Sequence, residues 1–294
     1  MRILIIGAAG QLGSAMGREF APDHEVVRST IEDLDITDHA AVVARVCEVR
    51  PAVVVNCAAY NNVDGAEQDP LMALEVNAFA VRSLAEAAGR AGAVFVHYGT
   101  DFVFDGRASV PYLESDAPAP RSCYAASKLL GEWLAREAPR HYVLRVESLF
   151  GGAHEGPTVK PSSVDRIIDA VLDGRRCSVF TDRVVSPSFT VDVARATRAL
   201  VQSRAEPGLY HCVNSGSCTW HELGLEVIRL TGRADCLDPV SVESVRLKAE
   251  RPQFAALDNS RLAATLGWPM PTWQDALARY LPRRVNAGVG RAGL

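Results

Sequence analysis

The chain has 294 residues, 48% of them hydrophobic and 22% charged, with a net charge of −4 spread across both signs. That is the balance of an ordinary globular protein with room for a sizeable core. It offers no basic footprint for nucleic acid and no run near the ~20 apolar residues of a membrane span. The seven cysteines are scattered without a CxxC pair, which fits a reduced, cytoplasmic chain better than a disulfide framework or a metal site.

The first half alternates short apolar runs with helical patterns. Arg2–Gly7 reads as a strand; its core, Ile3–Ile6, is too short for a signal segment and ends in glycine. A helix over Leu12–Phe20 and a second strand at Glu25–Val27 follow. The next helix spans Asp38–Val49, capped by Thr37 or Asp38. Val53–Ala58 is continuous and β-branched, as in a strand buried on both faces. Leu71–Gly92 is helical in pattern and Ala93–Tyr98 is the next strand. This alternation predicts an α/β fold with a doubly wound, parallel Rossmann sheet.

Three prolines between Asp105 and Arg121 mark a long loop ahead of a helix carrying Tyr124. Tyr142–Val146 reads as a further core strand. Beyond Gly151-Gly152 the pattern loosens through Pro157 and Pro161. A helix at Ser163–Leu172 then leads to a short strand near Val179. Helices at Thr190–Ser203 and Leu223–Thr231 flank a strand at Leu209–Val213, and short capped helices end the pattern at Ser260–Leu266 and Thr272–Leu281. These elements predict a nucleotide-binding part over residues 1–150 and 178–214. A smaller substrate-binding part takes 151–177 and 215–284, and a disordered Gly/Ala/Arg-rich tail takes 285–294.

The run Cys123-Tyr-Ala-Ala-Ser-Lys128 carries the first chemical signal. Tyr124 and Lys128 stand four residues apart, hence on one helix face. A fixed ammonium beside a phenol stabilises the phenolate and makes the phenol a proton donor. Lysine is scarce here, three against 28 arginines, so its use at this position is notable.

Gly7-Ala-Ala-Gly10-Gln-Leu-Gly13 supplies the second signal, directly after the first strand and opening the first helix. Its glycines permit a tight turn and a close backbone approach to a pyrophosphate, which the helix N-terminus then faces. The spacing is GxxGxxG rather than GxGxxG. At the end of the second strand an NAD-selective site would place a carboxylate on the ribose 2′-hydroxyl. Arg28-Ser29 occupies that place and suits the 2′-phosphate of NADPH, although a solvated strand-end arginine is the plainer alternative. Glu32 and Asp33 lie close by, so NADH stays open.

These residues resemble the extended short-chain dehydrogenase/reductase family, and within it the dTDP-4-dehydrorhamnose reductases. The resemblance runs from the glycine turn through Leu34-Asp-Ile-Thr37, Asn56-Cys-Ala-Ala-Tyr60, Val63-Asp-Gly-Ala-Glu67 and Val76-Asn77. It continues through Gly99-Thr-Asp-Phe-Val-Phe-Asp-Gly106, Tyr124-x-x-x-Lys128, Ser186-Pro-Ser188 with Asp192, Gly208-Leu-Tyr-His211 and Trp220, to Arg251-Pro252 and Leu257-Asp-Asn-Ser260. It implies that Thr100 bonds a substrate carbonyl, Tyr124 delivers a proton, and Lys128 holds the nicotinamide ribose and activates Tyr124. Gly10, Gln11 and Leu12 would line the pyrophosphate, and Asp35 and Ile36 the adenine. Ala58, Ala59, Tyr60, Asn61 and Tyr98 would line the cofactor, and Asp101 and Ser148 the sugar.

The implied reaction is NADPH-dependent reduction of the 4-keto group of a nucleotide-linked 6-deoxyhexose in deoxysugar biosynthesis, by a chain that binds no nucleic acid or membrane, with a homodimer as a possible assembly. Two departures stand out. Gly99 replaces the family's usual Ser, and Arg145-Val-Glu-Ser148 replaces an Arg-Thr-Ser-Trp run, so Ser148 stands where an indole would wall the sugar. Residues 151–165 also leave the family pattern. Two alternatives therefore remain: a sugar-nucleotide epimerase or dehydratase with bound NAD, and a non-catalytic NADP-binding subunit resembling the regulatory β subunit of methionine adenosyltransferase. No metal ligand set is legible among the seven dispersed histidines.

Overall fold

A computed structural model describes residues 1–151, 161–203, 205–245 and 248–289. The nucleotide-binding half contains β1 (Arg2–Ile6), α1 (Gln11–Phe20), β2 (Glu25–Ser29), α2 (His39–Val49), β3 (Val53–Asn56), α3 (Val63–Ala66), α4 (Pro70–Leu74) and α5 (Ala80–Arg90). It continues with β4 (Val94–Thr100), α6 (Cys123–Ala135) and β5 (His141–Val146). Then come β6 (Leu149–Phe150), α7 (Ser163–Asp173), β7 (Cys177–Phe180), β8 (Val184–Val185), β9 (Ser188–Phe189), α8 (Thr190–Ser203) and β10 (Gly208–His211). The chain closes with β11 (Cys218–Thr219), α9 (Trp220–Thr231), β12 (Leu237–Val240), α10 (Ser260–Leu266) and α11 (Trp273–Val289).

Six strands form one parallel sheet in the order β10-β5-β4-β3-β1-β2, the doubly wound arrangement read from the alternation. The order reverses between β1 and β3, where the carboxyl ends of the strands leave a crevice for a ligand. Residues alternate across the sheet. Ile3 and Ile5 of β1 pack under α1 and α8, whereas Leu4 and Ile6 pack under α2 and α5. Both faces are covered, so β3 is buried at every position, Val53 through Asn56.

The helix expected over 71–92 is present but not uniform. Between α4 and α5, Glu75–Phe79 widens into a π turn, a local bulge that periodicity does not announce. Its Asn77 carbonyl lies so close to α6 that a Cβ at Gly131 would overlap it. Asn77 also clamps the loop after β3. Its Oδ1 accepts the Tyr60 N–H at 2.9 Å, and its Nδ2 donates to the Tyr60 carbonyl at 3.1 Å and to Ser127 Oγ at 3.0 Å.

A third core, around Phe150, Ile168, Phe189, Leu223, Leu237 and Leu277, forms a smaller lobe. Two boundaries differ from the sequence reading. β7 pairs with β12, so residues 178–180 pack with the smaller lobe. Leu262 of α10 and Met270 pack on the main sheet beside α8. Both differences come from pairings between segments distant in sequence. The last helix continues to Val289, into the stretch expected to be disordered; residues 290–294 and the segment around Pro157 lie outside the described residues. Among the described residues no helix is long and apolar enough to cross a membrane.

α6 is fastened to the sheet by a buried ion pair. Arg145 of β5 reaches Glu132 of α6 with Nε–Oε1 at 3.0 Å and Nη2–Oε2 at 2.8 Å, and the two side chains are 2% and 1% exposed. A Cβ at Gly99 of β4 would overlap Glu132 Oε1, so the departure from the family's Ser has a packing cause. Removing one partner strands a desolvated charge. Glu132→Ala should therefore cost about 3–5 kcal/mol in chemical denaturation; a loss below about 1 kcal/mol would mean the pair is not what docks α6.

Candidate active site

The crevice at the switch point is a cavity of about 900 Å³, large enough for a cofactor and a substrate together. Its floor is the glycine turn. Gly7 has φ +72°, open to glycine at little cost, and a Cβ at Gly13 would overlap the Gly7 carbonyl. Gly10 caps α1 with no side-chain hydrogen bond, so no side chain competes for the first-turn amides that attract a phosphate. Gly10, Gln11 and Leu12 line the cavity, as do Ala59 and Asn61. A dinucleotide pyrophosphate fits this cradle, because the turn leaves no side-chain volume between the backbone and the ligand.

The opposite wall carries the acid. Thr100 ends β4, and Tyr124 and Lys128 lie one turn apart on α6, which Ser122 starts by accepting the Ala125 N–H at 3.2 Å. All three line the cavity, and they are 5%, 8% and 3% exposed. The Thr100 hydroxyl lies near enough to the Tyr124 phenol to act on its pKa, and Phe102 stands edge-on to the ring at 5.5 Å. Lys128 Nζ donates to the Tyr98 carbonyl at 2.6 Å.

The electrostatics correct one expectation. Burial pushes the Tyr124 phenol up, the Asp101 charge adds to that, and the Thr100 hydroxyl is what eases it. The ammonium of Lys128 is turned to the Tyr98 carbonyl and is itself pulled down to about 8 by burial. Thr100, rather than Lys128, tunes Tyr124 in this state.

Tyr98 lines the cavity as expected, but its phenol is bonded to Thr197 Oγ1 at 2.8 Å and its carbonyl accepts Lys128 Nζ. Other expected residues sit elsewhere. The Arg28 guanidinium lies along α1 against Gly17, roughly 10 Å from the glycine turn at 1.5 Å per residue. Ser29 is buried, with its hydroxyl accepting Arg45 Nε at 3.3 Å. Asp33 Oδ2 accepts the Thr30 N–H at 2.9 Å, and Asp35 Oδ1 accepts the Thr37 N–H at 2.9 Å. Both carboxylates thus close local turns. Ile36 packs in the core beneath α2, with Ala58 against the same cluster, and Tyr60 packs beside Tyr124.

The cavity also has walls to which the sequence reading assigned no role: Val63, Asp64, Phe102, Arg166, Arg183 and Arg251, with Trp220 at the start of α9. Asp101 lines it next to Thr100, and Ser148 does so in a left-handed conformation, φ +45°. An indole does face the cavity, then, but from the smaller lobe. Arg251 is tied to Asp64 at 2.9 Å. Among the described residues no cluster of His, Cys, Asp or Glu is placed to hold a metal ion.

The chain matches the family model of the RmlD substrate binding domain over residues 1–285. It is 36% identical to a dTDP-4-dehydrorhamnose reductase of Streptomyces griseus, over 99% of this chain and 95% of that one. A probable dTDP-4,6-dihydroxy-2-methyloxan-3-one 4-ketoreductase of Streptomyces antibioticus is 38% identical, over 96% and 95%. Among solved structures, the dTDP-4-dehydrorhamnose reductase of Bacillus anthracis in complex with NADP superposes with a TM-score of 0.89. It is 30% identical and covers 96% of this chain and 99% of its own.

Lys128 yields a stability prediction. Its pKa falls from 10.5 to about 8 on folding, so between those values the unfolded chain binds more protons. Stability therefore rises as pH climbs through that window and is lowest below it. Lys128→Met should abolish that rise and unfold at higher urea at neutral pH, by up to about 3 kcal/mol. Equal or lower stability of the variant at neutral pH would refute the buried-charge account.

Proposed function

This chain belongs to the RmlD substrate binding domain family, and we propose that it is an NADPH-dependent reductase of the 4-keto group of a nucleotide-linked 6-deoxyhexose. The observation that carries the reading is the convergence of the buried Thr100, Tyr124 and Lys128 side chains on one cavity floored by the glycine turn. Relatives at 36% and 38% identity over nearly the whole chain bear names for reductions of dTDP-linked keto sugars, and the NADP of the Bacillus anthracis structure supports the cofactor.

Gly10, Gln11 and Leu12 would hold NADPH in the cradle, and the chemistry it would supply there is hydride transfer, with both electrons, to the carbonyl carbon. The protein's own groups handle the oxygen. The Thr100 and Tyr124 hydroxyls present two donors to the carbonyl oxygen, where charge develops. Tyr124 gives up its proton to the nascent alkoxide. The raised pKa of Tyr124 keeps that proton in place until the alkoxide, a stronger base, forms. Lys128, one turn along the same face, would hold the nicotinamide ribose.

The departures that kept a non-catalytic subunit open weigh less against this reading. Gly99 answers to the Glu132–Arg145 pair beneath it, and the acid itself is intact. A cytoplasmic location belongs to the proposal, supported by seven cysteines that are all free. So does a homodimer, supported by exposed Leu71, Met72, Phe79 and Trp133 along the α4–α6 stretch.

Tyr124→Phe deletes the proton and little else. NADPH oxidation with dTDP-4-keto-6-deoxyhexoses should fall by roughly 100- to 10,000-fold, while NADPH binding, followed by fluorescence, stays near wild type. Turnover at the wild-type rate would overturn the assignment.

A further inference from the structure

Among the described residues the cavity is lined by four cationic side chains, Lys128, Arg166, Arg183 and Arg251, against two carboxylates, Asp64 and Asp101. The chain as a whole carries a net charge of −4, so the crevice is a positive site in a negative protein. Three of the cations are accounted for. Lys128 donates to the Tyr98 carbonyl, Arg251 is paired with Asp64, and Arg166 is exposed on α7. Arg183 is different. It is partly buried, and among the described residues its guanidinium makes no hydrogen bond or ion pair, its Nε being shut off from solvent as well.

The residue is nonetheless held in place on both sides. Asp182 before it accepts the Val242 N–H at 3.0 Å, and Val184 after it donates to the Gln253 carbonyl at 2.8 Å. The guanidinium lies over the Phe180 ring, 5.6 Å from its centroid. Stacking of this kind occupies the flat face of the fork and leaves its N–H edge for a ligand. Burial holds the arginine below its ordinary pKa, with the Asp101 charge restoring part of the loss. Folding has therefore desolvated this charge without pairing it, a cost that an anion in the cavity would offset.

We propose that Arg183 is the counter-charge for the diphosphate of the nucleotide-linked substrate, and hence the residue by which the site selects a sugar nucleotide over an uncharged nucleoside or a free sugar. The proposal rests on the reductase reading of the site. Position favours this anion over the phosphates of the cofactor. The cofactor pyrophosphate belongs to the cradle at Gly10, Gln11 and Leu12 on the main sheet. Arg183 instead precedes β8, which pairs with β11 just ahead of Trp220 in the smaller lobe. It is near enough to Asp101 for the two charges to interact, and Asp101 Oδ1 is bonded to Thr100 Oγ1 at 3.1 Å. A hexose with C4 at Thr100 carries its phosphate at C1, across the ring, and Arg183 is the unpaired cation on the substrate side of Thr100. A planar fork matches two phosphate oxygens at once, which a point charge does not.

The test is calorimetric titration of the full chain with dTDP and with thymidine, for wild type and Arg183→Gln. Saturating NADP⁺ keeps dTDP out of the cofactor cradle. Wild type should bind dTDP at least about tenfold more tightly than thymidine, an advantage that shrinks as salt is raised. In Arg183→Gln the affinity for dTDP should fall about 10- to 100-fold while that for thymidine stays near wild type. With NADPH and a dTDP-4-keto-6-deoxyhexose, the same loss should appear in KM rather than kcat. Equal weakening of dTDP and thymidine, or no weakening of either, would overturn the proposal. So would a wild type indifferent to the diphosphate, a result that needs no variant; reduction of the keto sugars by that protein would leave the reductase reading standing. A wild type that selects dTDP through Arg183 yet reduces none of these sugars defeats the reductase reading alone.

Discussion

The site depends on the buried contact between Arg145 and Glu132. Arg145 sits on β5, Glu132 on α6, and the cut-away Gly99 on β4 gives the carboxylate its space. Phe104 covers the guanidinium at 4.9 Å, and His211 of β10 approaches it at 3.5 Å. Four elements thus meet at one ion pair. A buried pair of this kind contributes little net stability compared with a well-packed apolar contact, because desolvation offsets the attraction. What it provides here is register. A forked guanidinium accepts a carboxylate in few orientations, so α6 cannot slide or rotate on the sheet. Tyr124 and Lys128, two and one turns before Glu132 on the same helix, are thereby fixed against Thr100 at the end of β4.

That geometry explains why unfavourable groups accumulate along one edge of the sheet. The carboxyl ends of β1, β3, β4 and β5 present Gly7, Cys57, Thr100 and Glu147 to the crevice or just behind it. Lys128, Asp101 and Glu147 are each nearly inaccessible, and burial is the leading cause of the shift at all three. The apolar clusters on the two faces of the sheet carry no comparable cost. They hold the polar edge together, so stability and chemistry are separated in space although they share the same strands.

Much of this was legible in the sequence, and the part that was not has a common physical character. The strands, the glycine turn and the Tyr124–Lys128 spacing are set by periods of two, by backbone sterics and by one helical turn, all local. Thr100 came only with the family resemblance. The structure added contacts between residues far apart in sequence. Examples are β7 on β12, Arg145 on Glu132, Trp220 and Arg183 in the cavity wall, and Asn77 holding Tyr60 from a π turn. Orientation was equally hidden. Tyr98 lines the cavity as expected, yet its phenol bonds Thr197 and its carbonyl takes the Lys128 ammonium. Spacing also suggested that Lys128 lowers the Tyr124 pKa. Lys128 is not among the groups that shift the Tyr124 phenol, and its ammonium donates to the Tyr98 carbonyl.

The same separation bears on the sugar. The proton donor and its partner belong to β4 and α6, which the sheet fixes. The remaining walls come from a different source: Ser148 beyond β5, Arg183 before β8, and Trp220 at the head of α9, all in or bordering the smaller lobe. Ser148 is held at φ +45°, a conformation that costs a non-glycine residue about 1–3 kcal/mol unless its surroundings enforce it. Glu147, anchored to the Ser186 amide, and Gly151, whose Cβ would strike Phe189, bracket that turn and enforce it. An indole at 148 would have to fit this constrained turn, whereas Trp220 enters from a helix start with freedom to face the cavity. The wall around the sugar can therefore change with the smaller lobe while the acid stays where the Arg145–Glu132 pair puts it.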